Sequence, residues 1–149
     1  FSVGMFFWII LFSIILNRII FHHQLAVKFM PTMFILIAPP AVGFIAYFKM
    51  FGVLDIFAIF LFNMALFFTF LVAFMYKNFI KIKFFISWWA FVFPIAAMAI
   101  SSMLMYTKTK DPMALGLSYV MVAVVTIVIA IVIYQTIVHA LKEDICIQE

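Results

Sequence analysis

The chain has 149 residues, of which 70% are hydrophobic, 20% aromatic and only 9% charged. A soluble domain of this length could not cover so much apolar surface, whereas a bilayer accommodates it. The net charge of +4 comes from basic residues spread over short connections, so it signals membrane topology rather than nucleic-acid binding, and a single cysteine rules out an internal disulfide.

An apolar run opens at Phe1 with no charged leader and no small-residue cleavage site, unlike a signal peptide. It reads as a fragment that starts inside or just ahead of a span. The first span is predicted over residues 2–21, with Asn17 and Arg18 near its end, where Arg18 can snorkel to the interface. The second is predicted over 31–49, with Pro31 in its first turn and Pro39-Pro40 interrupting its middle. The third covers 54–76. Asp55 stands at its start, and Asn63 and Thr69 lie deeper, placed for hydrogen bonds between helices.

The fourth span is predicted over 84–106 and is broken at Pro94; the fifth is predicted over 115–141, with Asp111-Pro112 as a turn and Asp111 as a cap. Each segment is close to the roughly 20 residues a helix needs to cross hydrocarbon. The short connections make neighbouring helices antiparallel. The fold class is therefore an all-α membrane protein, a single transmembrane domain over 1–149 with five helices arranged as antiparallel hairpins.

Orientation follows from Lys and Arg. Arg18, Lys28, Lys77, Lys81, Lys83 and Lys142 fall on one side, and Lys49, Lys108 and Lys110 on the other. The richer side faces the cytoplasm, and it carries the C-terminus.

A proline inside a span removes a backbone donor and strains the preceding turn. Lipid cannot repair that loss, so broken spans belong inside a bundle or beside a watery path. Spans two and four are both expected to bend at their prolines. In span four, Ala90, Phe93 and Ala97 fall at three- and four-residue steps on one helix face, a large ring between two small residues. That face suits a packing knob against a neighbouring helix, or a hydrophobic plug in a narrow bore.

Nothing in the chain makes an enzyme. It has no paired carboxylates within a span, no plausible Ser-His-Asp set and no glycine-rich phosphate loop. Gln135 and His139 share a face near the end of span five, where His22 and His23 could join them. Adjacent histidines point in different directions, however, and no cysteine or carboxylate stands at ligand spacing, so neither metal nor cofactor is expected. A path without acidic rings does not repel anions, and basic residues at its ends attract them.

Two stretches carry a family resemblance: Met33 with Leu36-Ile37-Ala38-Pro39-Pro40-Ala41-Val42 and Ala46-Tyr47, and Trp89-Ala90-Phe91-Val92-Phe93-Pro94 with Ala97. In combination they resemble the tellurite-resistance/dicarboxylate transporter family, which includes TehA-like proteins and the slow-type anion channels. The resemblance implies half of a ten-helix channel fold, five hairpins around a pore, with this chain as the C-terminal half. It implies Phe93 as the pore gate, and Pro39, Pro40, Ala90, Pro94 and Ala97 as pore-lining or kink residues. It further implies small inorganic or organic anions as substrates, a homotrimer when full length, and the plasma (inner) membrane as location. The first five helices of that fold have no counterpart here. A non-conducting membrane scaffold or subunit is the other reading.

Overall fold

The computed structural model describes residues 1–21, 34, 36–75, 84 and 86–141. All regular structure among them is helical: α1 (Ser2–Phe21), α2 (Ala38–Phe51), α3 (Ile56–Phe74), a 3-10 segment (Ile86–Phe91), α4 (Val92–Thr109) and α5 (Pro112–Leu141). By length and composition, three stretches can cross a membrane: Ile56–Phe74, Ile86–Thr109 and Pro112–Leu141. At 1.5 Å per residue, the shortest of them reaches about 28 Å, close to the thickness of the hydrocarbon core.

The prolines decide where two helices begin. Span two is predicted from residue 31, and residues 31–33 and 35 lie outside the described residues. The described α-helix starts at Ala38, so Pro39 and Pro40 occupy its first turn. There a missing N–H costs little, because first-turn donors have no intrahelical acceptor. The chain enters through a turn in which the Ile37 amide donates to the Phe34 carbonyl at 3.1 Å. With 14 residues, α2 covers only about 21 Å, less than a full crossing. Pro94 is the third residue of α4, and the same span approaches it as a 3-10 winding over Ile86–Phe91. A proline at this point takes away the N–H that would have bonded to the Ala90 carbonyl, and the tighter winding lies on that side of it.

The connections use local chemistry. Gly52 ends α2 in the left-handed region (φ 68°), its N–H bonding back to the Phe48 carbonyl. Asp55 caps α3 by accepting the Ala58 N–H at 2.9 Å. Lys110 (φ 57°) closes α4, and Asp111 then accepts the Met113 N–H at 3.0 Å, with Pro112 as the first residue of α5.

The core gathers around α2, which touches α1, α3 and α4, while α4 makes its largest contact with α5. Leu36, Ile37, Ala41 and Phe44 of this central region meet Ala58, Leu61, Phe62, Ala65, Phe68 and Val72 of α3, with Ala97 and Met98 of α4. Met5, Trp8 and Phe12 bring α1 against the same cluster. At Gly43 a Cβ would meet the Met5 sulfur at 3.4 Å and both Leu61 methyl groups at 3.7 Å, so α1 and α3 both close on this position of α2. The outer surfaces of α1 and α5 are apolar and open, as lipid-facing surfaces are.

Candidate functional site

The helices that carry Pro39-Pro40 and Pro94, α2 and α4, lie side by side and run the same way. Near one end the Ser101 hydroxyl reaches the Ala41 carbonyl at 3.1 Å. Further along both helices the Lys108 ammonium stands 5.4 Å from the centre of the Phe48 ring. Contacts that advance together along both chains make the pair parallel.

Each helix keeps one stripe uncovered. On α2, Val42 and Lys49 are exposed and Pro39 and Ala46 half-buried, whereas Ala41, Phe44 and Phe48 are buried. On α4, Phe93, Ile100 and Met103 are exposed and Ala96 half-buried, whereas Pro94, Ala97, Met98 and Ser101 are buried. Counted at 100° per residue, the α2 stripe lies clockwise from the flank that meets α4, seen from the N-terminus, and the α4 stripe lies counter-clockwise from the flank that meets α2. For parallel neighbours those two directions coincide. Both stripes therefore open on the same side of the molecule, and together they form one shallow apolar surface with Lys49 at its far end.

Phe93 and Phe91 have opposite environments. The Phe93 side chain is 62% exposed, while Phe91 is 8% exposed and packs on Phe34 at 4.6 Å and Trp88 at 5.6 Å between ring centres. Within this chain Phe91 is the packing knob and Phe93 is not. The three residues of the small-large-small pattern differ in burial. Ala97 is buried, and its carbonyl accepts the Ser101 hydroxyl at 2.8 Å; Ala90 sits half-buried in the 3-10 segment. Pro40 and Pro94 are buried, and Pro39 is half-buried.

The end of the bundle where α2 finishes and α3 begins is aromatic and ionic. Tyr47 donates a hydrogen bond to the Asp55 carboxylate, and Phe1 and Phe57 flank the Tyr47 ring at 6.0 and 5.1 Å. The Tyr47 hydroxyl, then the Ala58 amide, hold the Asp55 carboxyl below its ordinary value, because both donate to its ionised form. Lys108 lies over Phe48, and Lys110 lies over the Tyr106 ring at 5.4 Å.

At the opposite end, Trp89 donates to the Thr136 hydroxyl at 3.3 Å and Phe84 stacks near His139 at 4.8 Å. These contacts join the start of the fourth span to the end of α5. The ring Nδ1 of His139 meets the Gln135 backbone carbonyl at 2.9 Å. His22 and His23 lie outside the described residues, as do Lys28, Lys77, Lys81, Lys83 and Lys142.

Two sets of polar residues differ from expectation. Thr69 bonds to the Ala65 carbonyl of its own helix at 2.8 Å rather than to a neighbour, and Asn63 is exposed. A buried hydrogen bond that does cross between helices belongs to Ser101, which sequence reasoning passed over. The signal was present: Ser101-Ser102 are adjacent hydroxyls in an apolar span, and both are fully buried.

A family model described as voltage-dependent anion channel matches residues 1–137 of the chain. This protein belongs to the voltage-dependent anion channel family. The family is the one whose likeness is carried by Pro39-Pro40 and by Trp89 to Pro94. The chain is 31% identical over 140 residues to the S-type anion channel SLAH3 of Arabidopsis thaliana, covering 94% of this chain and 22% of the relative. It is 32% identical over 120 residues to S-type anion channel SLAH1 of the same plant, covering 78% of this chain and 31% of that one. An archaeal relative, the uncharacterized transporter MJ0576 of Methanocaldococcus jannaschii, is 30% identical over 121 residues, covering 73% of this chain and 35% of its own length. The chain thus spans between about a fifth and a third of these relatives. No solved structure matches.

Proposed function

We propose that this chain is the C-terminal half of an anion channel or anion-efflux transporter in which α2 and α4 line the conducting path and Phe93 closes it. The observation that carries the reading is the contrast at the proline break. Phe93 projects from the uncovered stripe at 62% exposure, while Phe91, two residues earlier, is sealed in the core at 8%. A ring that served only to pack this bundle would be covered by it. A ring on an open apolar face, beside a fixed proline turn, is available to obstruct a bore that further helices complete.

The relatives named as S-type anion channels support anions as the permeant species. Among the described residues the uncovered α2–α4 face bears no acidic side chain, and Lys49 at its end favours anions electrostatically. Small inorganic or organic anions fit such a path, with selection by width and field rather than by a tight site. In this proposal Pro39, Ala90 and the exposed stripe line the path, while the buried Pro40, Pro94 and Ala97 shape the helices behind it. The complete protein has ten helices as five hairpins and assembles as a homotrimer in the plasma membrane, with its C-terminus in the cytoplasm as the lysine and arginine distribution directs.

The decisive experiment records anion current from the full-length protein carrying Phe93→Ala, with surface expression and folding verified. Current should rise well above the unsubstituted level, and Phe91→Ala should not produce that rise. Unchanged or smaller current from well-folded Phe93→Ala would end the gate reading. For orientation, a cysteine added after Glu149 should resist an impermeant thiol reagent applied to intact cells.

A further inference from the structure

Resting on the reading of Phe93 as the gate, we infer that Ser101 is a positioning residue that couples α2 to α4 and holds the Phe93 turn in the obstructing arrangement. Its side chain is wholly buried, and its hydroxyl oxygen lies near two acceptors: the Ala97 carbonyl of its own helix at 2.8 Å and the Ala41 carbonyl of α2 at 3.1 Å. A serine hydroxyl has one proton to donate. It is therefore divided between a bond that stays within α4 and one that ties α4 to its parallel neighbour.

The two bonds act on different things. Back-bonding from serine to the carbonyl four residues earlier bends a helix locally. Here that carbonyl belongs to Ala97, one turn after Phe93, so the bend falls between the gate and Ser101. The bond to Ala41 fixes α4 against the first turns of α2, just beyond Pro39-Pro40. Turning the hydroxyl from one acceptor to the other changes the tilt of the Phe93 turn relative to α2. No water is available in a sealed apolar contact to substitute for either bond.

Ser102 is a built-in control. It is equally buried, yet its hydroxyl bonds only to the Met98 carbonyl of its own helix at 2.9 Å. Removing either hydroxyl deletes one back-bond, but only Ser101→Ala deletes the tie between helices.

The test is single-channel recording on the full-length protein with Ser101→Ala, Ser102→Ala and Phe93→Ala, alone and in combination. Ser101→Ala should raise open probability about threefold, the shift that a typical hydrogen bond between membrane helices sustains, with unitary conductance unchanged. Ser102→Ala should leave open probability as it was, and Ser101→Ala should add nothing in the Phe93→Ala background. Equal effects from the two serine substitutions, or no change from Ser101→Ala, would overturn the inference while the Phe93 gate stands. A silent Phe93→Ala would instead remove the gate and this inference with it. Should Ser101→Ala fail to reach the surface, Ser101→Cys keeps a weak donor in a similar volume. It should shift gating in the same direction by less, and unaltered gating would count against Ser101.

Discussion

Tyr47 and Asp55 join the end of α2 to the start of α3 through a hydrogen bond from the phenol to the carboxylate. The other carboxylate oxygen accepts the Ala58 N–H, so a single side chain both ties two helices and caps one. The tie stands at the end of the bundle where Phe1, Phe51 and Phe57 surround the Tyr47 ring. Because Tyr47 sits on α2, this contact also anchors one of the two helices that bear the open face.

Substitutions at Asp55 should therefore separate capping from tying. Asp55→Ala removes both bonds and should lower the melting temperature of the detergent-solubilised protein. Asp55→Asn keeps an oxygen for the Ala58 amide and should lower it less. Tyr47→Phe leaves the cap and most of the aromatic contact, so it should fall nearest the unsubstituted protein. Differential scanning fluorimetry gives the order, and a larger loss from Tyr47→Phe than from Asp55→Ala would show that the cap is unimportant.

The same carboxylate makes stability depend on pH. The Tyr47 hydroxyl and the Ala58 amide favour its ionised form, so its folded value lies below its unfolded value of about 4. A group lowered on folding contributes stability that is present above the unfolded value and is lost as pH falls through the folded one. Melting temperature should thus be level through neutral pH and decline below about pH 4. Asp55→Asn cannot titrate there and should show a shallower decline over the same window.

Apolar length alone marks the three long helices, and Asp111-Pro112 announces its cap because a side-chain acceptor followed by proline has few other uses. The start of α2 was less visible. Residues on both sides of Pro39-Pro40 are apolar, and apolarity does not say where winding begins; the cheap place for two prolines is the first turn. Four residues separate Ala97 from Phe93, which places them about 40° apart on the helix. The edge of the covered surface happens to run within those 40°, and its position depends on the direction of α2. The Ser101–Ala41 bond depends on the register between helices sixty residues apart, which no local pattern encodes.

Gly43 gives a graded test of packing at the centre of the bundle. A methyl group there meets Met5 and Leu61 at ordinary van der Waals distance, and alanine winds into helices more readily than glycine. Gly43→Ala should leave stability within about 1 kcal/mol of the original. Gly43→Leu would drive into Leu61 and lift α1, whose contact with α2 runs through Met5, at a cost of about 1–3 kcal/mol. Denaturation in mixed micelles measures both. If leucine were as harmless as alanine, α1 would not be seated on α2 as described.

Phe91 and Phe93 should part company in stability as they do in exposure. Phe91→Ala empties a pocket enclosed by Phe34 and Trp88, and truncating a buried phenylalanine costs about 3–5 kcal/mol. Phe93 loses little contact with this bundle when shortened, because most of its ring is already uncovered. Surface yield and melting temperature should fall for Phe91→Ala and hold for Phe93→Ala, so any change in current from the latter is attributable to the path rather than to folding. A strong loss of stability from Phe93→Ala would mean that helices beyond this chain bury its ring, and that its role is packing between the two parts of the complete protein.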